Sequence, residues 1–303
     1  MRLISRREAI RSGIAAGVGA TGFSNLFAKP LGAEQIVTFP GIQLYTVDKE
    51  LKADVSGTLL SLQKIGYREV EGAGFAGLTP KQFRVALDNA GLKCNSTHFF
   101  NFGDADPILL FEQANLLGVH YAVSSLMSRF SRKPGGEEMN IDDYKAMADL
   151  CNQLGATAKH AGLQFAYHNH NSEFKDLGNG TLGYDVLLEA TDPELVKLEL
   201  DCGWMIAAGQ NPIDYFRRYP NRYRMLHVKD FVRPEKPSTS IKHDERPQGT
   251  VLGTGFIQYK PILTAAKAVG VEHFYVEQEP PFIGMTAIEA AARDYHYLET
   301  LSK

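Results

Sequence analysis

Eight short apolar runs, each followed by an amphipathic stretch, set the strongest limit on what this chain can fold into. The runs are GIQLYTV (41–47), YREVEGAG (67–74), KCNSTHFF (93–100), HYAVSSLM (120–127), LQFAYHNH (163–170), LVKLELDCGWM (195–205), RMLHVKDF (224–231) and HFYVEQEP (273–280). Helical patterns lie between them. In SGTLLSLQKIG, Leu59, Leu62 and Ile65 recur at helical spacing, and TPKQFRVALDNAGL opens with Thr79 as a cap and Pro80 in the first turn and closes at Gly91. Strands that alternate with helices form parallel βαβ units. Eight such units predict a closed (β/α)8 barrel, an α/β fold that this length can supply. One long polar insertion, VRPEKPSTSIKHDERPQGTVLGTG, follows the seventh strand and is expected to form a loop over the barrel mouth.

In such a barrel the active site gathers at the C-terminal ends of the strands. The second strand ends with Glu71 and the third with His98. The fifth carries His168, His170 and Glu173, the sixth Asp201, the seventh His227, Lys229 and Asp230, and the eighth Glu277 and Glu279. A lone strand-end histidine is usually a hydrogen-bonded core group. Imidazoles and carboxylates on six strands at one level are a different matter, because packed carboxylates repel and resist burial. One bound divalent cation relieves that cost. The mixed nitrogen and oxygen set suits Mn²⁺, Zn²⁺, Co²⁺ or Mg²⁺ and does not choose among them.

Composition narrows the ligand. The full chain has a net charge of −3, and without residues 1–33 it keeps 27 basic against 34 acidic residues, or −7. No Lys/Arg run is present after residue 33, so the basic face that a nucleic-acid backbone demands is missing. No apolar run reaches the roughly 18 residues of a membrane span. Three widely spaced cysteines, Cys94, Cys151 and Cys202, form no CxxC pair and argue against a disulfide framework. Cys202 is expected to be a small packing residue. The N-terminus, with Arg6 and Arg7 in SRREAIR before the Gly/Ala-rich run SGIAAGVGATGF, resembles a twin-arginine signal peptide. Residues 1–33 are therefore expected to be an export leader, residues 34–303 the barrel, and the destination the periplasm.

GIQLYTV, YHNHNSEF, LELDCGW, HVKDF, LGTG and YVEQE together resemble the xylose isomerase-like barrels, the sugar phosphate isomerase/epimerase superfamily, over essentially all of residues 35–303. Epimerases of this type hold one metal ion with Glu, Asp, His and Glu from strands five to eight. The resemblance carries Asp201, His227 and Glu277 over as ligands. His168 stands where those enzymes have a glutamate, so His168 or His170 ligates, or Glu173 folds back to supply a carboxylate. Trp204 stands where the relatives have a histidine, which argues against the DNA-repair branch. The resemblance also implies an arginine contact to substrate at Arg233. The reading assigns the ion to His168, Asp201, His227 and Glu277. Proton transfer goes to Glu173 and Glu277, and substrate contacts to Glu71, His98, His170, Trp204, Lys229, Arg233 and Glu279. Lys229 and Asp230 have a structural alternative as an ion pair.

The activity expected is a metal-dependent isomerisation or epimerisation of a sugar or keto-sugar through an enediolate, with a carboxylate moving the proton beside the carbonyl. The rival reading is a lyase, which expels a group beta to the carbonyl as a dehydratase or a 3-keto-glycoside-cleaving enzyme does. A non-catalytic sugar-binding protein is the third. The partner expected is a small carbohydrate, and self-association into a homo-oligomer stays open.

Overall fold

The computed structural model describes residues 40–301, apart from 101, 103–104, 126–129, 131–137, 241 and 243–244. The expected leader lies outside the described residues. Eight parallel strands close a barrel: β1 (Gly41–Gln43), β2 (Glu69–Ala73), β3 (Lys93–His98), β4 (Tyr121–Ser124), β5 (Gln164–His168), β6 (Val196–Asp201), β7 (Tyr223–Val228) and β10 (His273–Val276). Each pairs with its sequence neighbour, and β10 closes on β1 through Gly41↔Tyr275 and Ile42↔Val276. The register that matters most sets Asp201 beside His227, Tyr275 beside His227 and His168 beside Glu199.

Alternation along the strands divides the apolar residues into two cores. Ile42, Val70, Phe165, Leu198, Leu226 and Val276 belong to the large core that includes the helices. Tyr121, Val123, Ala166, Met225 and Tyr275 form a separate small cluster of buried residues. The second set shares strand parity with the polar strand ends, so it fills the barrel beneath them. Tyr275 can cross the barrel because position 41 is glycine: a Cβ there would lie 2.5 Å from its ring.

Local chemistry sets the element ends. Thr79 accepts a hydrogen bond from the Gln82 amide, Pro80 begins the helix Pro80–Ala90, and Gly91 ends it in the left-handed region at φ 68°. Two candidate strands give way to helical turns before their runs end. The segment 44–47 winds into a 3-10 turn because the Gln43 side chain accepts the Tyr45 amide. The run 195–205 stops at Asp201, whose carboxylate accepts the Trp204 amide at 2.8 Å and starts a short helix, Cys202–Ala207.

The polar insertion is tethered at its end. Asp230–Phe231 (β8) pairs antiparallel with Gly249–Thr250 (β9). The Asp230 carboxylate accepts backbone amides from Phe231, Gly253, Gly255, Phe256 and Ile257 at 2.9–3.2 Å. Asp294, on the last helix, accepts the Leu252 amide at 2.7 Å from below. Burial, with Asp230 nearby, raises its carboxyl to about 7. A raised acid binds its proton more tightly when folded, so it lowers stability as pH rises from its unfolded value, about 4, toward 7. Asp294→Asn keeps the acceptor and removes the charge. It is expected to raise unfolding free energy at pH 8 by on the order of 1 kcal/mol and to leave it unchanged at pH 4. Urea unfolding at the two pH values checks this.

Candidate functional site

The polar strand ends converge on one buried network. Glu199 of β6 is at its centre: its Oε2 lies 2.7 Å from His98 Nε2, 2.9 Å from His168 Nδ1 and 3.3 Å from His227 Nε2. Glu71 supports the same histidines from the other side, at 2.6 Å to His227 Nε2 and 3.3 Å to His98 Nε2. Its carboxylate is oriented by Gln43 Nε2 at 2.8 Å and Ser96 Oγ at 2.7 Å. The other His227 nitrogen, Nδ1, lies 2.9 Å from Glu277. Lys229 extends its ammonium into a ring of carboxylates: 2.6 Å to Glu277, 3.0 Å to Asp201 Oδ2 and 3.1 Å to Glu279.

The charges follow from these contacts. Burial opposes charge on every group here. The Glu71 and Glu199 carboxylates overcome it at His98, which rises to about 10. Burial likewise opposes charge on His227 and Lys229, and their carboxylate neighbours hold both well above their ordinary values. His168 is pushed well down by burial and by the positive charges of His227, His98, His170 and Lys229, so its imidazole is neutral. Burial, reinforced by Glu71, raises Glu199 to about 7, and burial raises Asp201 to about 6. Burial works against ionisation at Glu277 too, but Lys229 and His227 outweigh it and hold the carboxyl well below the usual range.

Among the described residues, two overlapping groups each bring their ligand atoms within 4.8 Å of one another: His98, His168, Glu199 and His227, and Asp201, His227 and Glu277. Imidazole nitrogens and carboxylates on one point are the donor set of a divalent first-row metal, which would take the place of the protons that their carboxylate neighbours hold on His98 and His227. Glu199 Oε1 is buried with no hydrogen-bond partner, a cost that a cation removes. The residues present therefore fit such an ion. Asp201 Oδ2 also has no hydrogen bond of good geometry, although it stays within ion-pair distance of Lys229.

The residues singled out in the sequence separate into distinct places. His168, Asp201, His227 and Glu277 all reach the network, with His168 in one group and Asp201 and Glu277 in the other. His98, expected at the substrate, stands among the ligand atoms and also lines the cavity. Glu71, also expected at the substrate, is fully buried behind His98 and His227 and does not line the cavity. Lys229 and Asp230 do not pair with each other; one holds carboxylates and the other holds the loop. Arg233 turns outward, stacked 4.9 Å over Phe256, and is absent from the cavity walls. Glu173 does not fold back over the centre. It is fully buried, and its oxygens accept the Tyr167 hydroxyl (2.9 Å), the His170 amide (3.0 Å) and the Ser172 hydroxyl (2.8 Å). Cys202 is buried, and its thiol is pushed well up by that burial, as suits a packing residue.

Above the network, two chambers open. The larger, about 460 Å³, has Gln43, His98, Ser124, His168 and His170 on its walls together with the aromatic rings of Tyr45, Phe99 and Phe100. The smaller, about 280 Å³, is bounded by Trp204, Phe231, Pro247, Pro281 and Ile283 and by the polar Lys229, Asp230, Gln248 and Gln278. Arg246, Glu277 and Glu279 line both. Trp204 packs under two cations, 5.0 Å from Lys229 Nζ and 5.6 Å from the Arg246 guanidinium. Two of these residues escape a strand-end reading. Glu199 lies inside an apolar run, where only its i, i+2 parity with Asp201 marks it as inward-facing. Arg246 lies in the polar insertion, which carries no periodic signal.

Among the described residues, no helix is long and apolar enough to cross a membrane. The family described as xylose isomerase-like TIM barrel matches residues 60–299. Inosose dehydratase of Geobacillus thermodenitrificans (strain NG80-2) is 29% identical over 235 residues, covering 73% of this chain and 72% of that one. Inosose dehydratase of Lacticaseibacillus casei is 27% identical over 245 residues, covering 71% and 79%. The crystal structure of a sugar phosphate isomerase/epimerase from Parabacteroides distasonis ATCC 8503 superposes with a TM-score of 0.69 at 25% identity, covering 91% of this chain and 98% of that one. With the closed eight-stranded barrel and the family match over residues 60–299, this chain belongs to the xylose isomerase-like TIM barrel family.

Proposed function

We propose that this protein is a metal-dependent lyase that eliminates a group beta to the carbonyl of a keto-sugar or keto-cyclitol. The similarity to inosose dehydratases over more than two thirds of both chains carries this reading. It favours elimination over the isomerisation that the strand-end motifs suggest on their own. One divalent ion, of the Mn²⁺, Zn²⁺, Co²⁺ or Mg²⁺ class, would be held by His98, His168, Glu199 and His227, because the Lys229 ammonium already neutralises Asp201 and Glu277. When bound there it supplies Lewis-acid polarisation of the substrate carbonyl, worth several kcal/mol.

The chain's own residues supply the rest. Glu277 is kept ionised by Lys229 and His227 and faces both chambers, so it accepts the proton from the carbon next to the carbonyl. That C–H electron pair becomes the C=C bond as the neighbouring C–O bond breaks. The departing oxygen takes a proton from the Lys229 ammonium, which lines the smaller chamber beside Glu277. Gln43, Ser124 and His170 offer hydrogen bonds to the ring hydroxyls.

Product analysis by NMR in D₂O, with a panel of keto-sugars and inososes and added divalent ions, tests the reading. A new alkene is the expected result. Deuterium uptake with an epimer or isomer and no alkene would make the protein an isomerase, and binding with neither would make it a sugar-binding protein.

Export by the twin-arginine route belongs to the same proposal, supported by Arg6 and Arg7 ahead of the Gly/Ala-rich run. Replacing both arginines with lysine is expected to leave folded protein in the cytoplasm. Cell fractionation measures it, and unaltered periplasmic accumulation would refute the route.

A further inference from the structure

We infer that the substrate is an acid: a keto-sugar or keto-cyclitol that carries one carboxylate, held at the barrel mouth by Arg246 while the keto group faces the ion. This rests on the lyase reading and adds to it the substrate class.

Arg246 is the cation of the mouth whose charge and donors are not already taken. It lines both chambers, and its Nε is buried without a hydrogen-bond partner. A guanidinium does not lose its proton in proteins, so this charge is permanent. Among the described residues, no carboxylate stands within ion-pair distance of it. The nearby carboxylates are engaged elsewhere. Lys229 holds Glu277, Asp201 and Glu279 at 2.6, 3.0 and 3.1 Å. Asp230 accepts its five backbone amides. Arg246 does meet the Trp204 ring, whose centroid lies 5.6 Å from the guanidinium carbon. A π face attracts the charge but offers the N–H donors no lone pair.

Trp204 repeats the pattern. Its indole N–H is a donor only, is also buried without a partner, and belongs to a residue that lines the smaller chamber. Two neighbouring side chains thus present two N–H donors and one positive charge with no acceptor. A water molecule accepts such donors but leaves the charge unbalanced. A carboxylate accepts them and balances it, and its two oxygens match the planar fork of the guanidinium.

The surroundings favour one negative charge over two. Glu277 and Glu279 line the same chambers, and Glu277 is ionised despite its burial because of Lys229 and His227. Each negative charge on a ligand is repelled by them. A phosphate carries up to about two such charges and a carboxylate one. His170 adds no further cation to the larger chamber, since burial and the nearby Lys229 lower its imidazole to about 4. The carboxylate is a handle and takes no part in the elimination: Glu277 and Lys229 keep their roles, and the product retains the acid.

Isothermal titration of the full chain, loaded with Mn²⁺, with glucuronate and with glucose reads the handle directly, because the two sugars differ by a carboxylate in place of a hydroxymethyl group. Glucuronate is expected to bind at least about tenfold more tightly, a difference of about 1.4 kcal/mol. Arg246 stands at a half-buried position in the insertion, so Arg246→Gln is expected to keep the ion content and melting temperature and to abolish the preference. Arg246→Lys keeps the charge without the fork and is expected to retain a few-fold preference. Equal affinity of the unaltered protein for the two sugars would overturn the inference. A preference that survives Arg246→Gln would do so too, because the ion would then be holding the carboxylate, and so would tighter binding of glucose 6-phosphate than of glucuronate. The lyase reading fails separately. A glucuronate preference that depends on Arg246, in a protein that forms no alkene from any keto acid, would sink that reading and leave the carboxylate site standing.

Discussion

His227→Ala is expected to strip the bound ion and to destabilise the fold by about 3–5 kcal/mol, the range for removing one partner of a buried ion pair. His227 is the one residue common to both groups of ligand atoms, so the loss of the ion does not depend on which group holds it. It is also the cation between Glu71 and Glu277, at 2.6 and 2.9 Å, in a fully buried position. Truncation leaves those carboxylates facing each other without their shared imidazole, and Glu71 loses one of the two positive groups that keep it ionised. His227→Gln retains hydrogen bonds and volume, so it is expected to fold more securely and still to bind far less metal. Elemental analysis and urea unfolding of both variants are the measurements. Wild-type ion content in both would show that the ion lies outside this network.

The barrel was legible because two periodicities alternate eight times along the chain, and a two-residue repeat followed by a 3.6-residue repeat has few other meanings. The strand ends were less so. Leu44–Val47 and Cys202–Ala207 continue apolar runs, and only side-chain caps from Gln43 and Asp201 turn them into helical turns. The site was legible where a polar residue ended a strand: His98, His168, Asp201, His227 and Glu277 all reach one network. Glu199 was not, because a carboxylate two residues before a strand end reads as part of an apolar run until parity is traced into the barrel. Position along the chain also says nothing about where a loop side chain turns. Glu173 and Arg233 stand at suitable distances from their strands, yet one clamps the turn after β5 and the other stacks on Phe256. Arg246 lines the mouth in an insertion whose far end Asp230 ties down.

Two glutamates in this chain give opposite expectations for the same substitution. Glu277→Gln is expected to lower kcat by about 10²–10⁴, the usual contribution of a positioned acid/base group. The amide keeps the shape of the side chain but cannot accept the substrate proton. Because Lys229 bridges this carboxylate to Asp201 and Glu279, the ammonium retains two partners and the variant should stay folded. Its ion content should be close to that of the unaltered protein if His98, His168, Glu199 and His227 hold the metal. Glu173→Gln is expected to cost less than about tenfold in kcat, below the range of a lost acid/base. A glutamine at this position still accepts the Tyr167 hydroxyl and the His170 amide, and neither oxygen of the glutamate lines a chamber. Burial also raises the Glu173 carboxyl, so the neutral amide removes no favourable charge. Steady-state kinetics on the eliminated substrate, with ion content and thermal melting measured alongside, distinguish the two. A large kcat loss in Glu173→Gln with a normal melting temperature, beside near-normal turnover in Glu277→Gln, would reverse the assignment and place the proton-transfer group on the turn after β5.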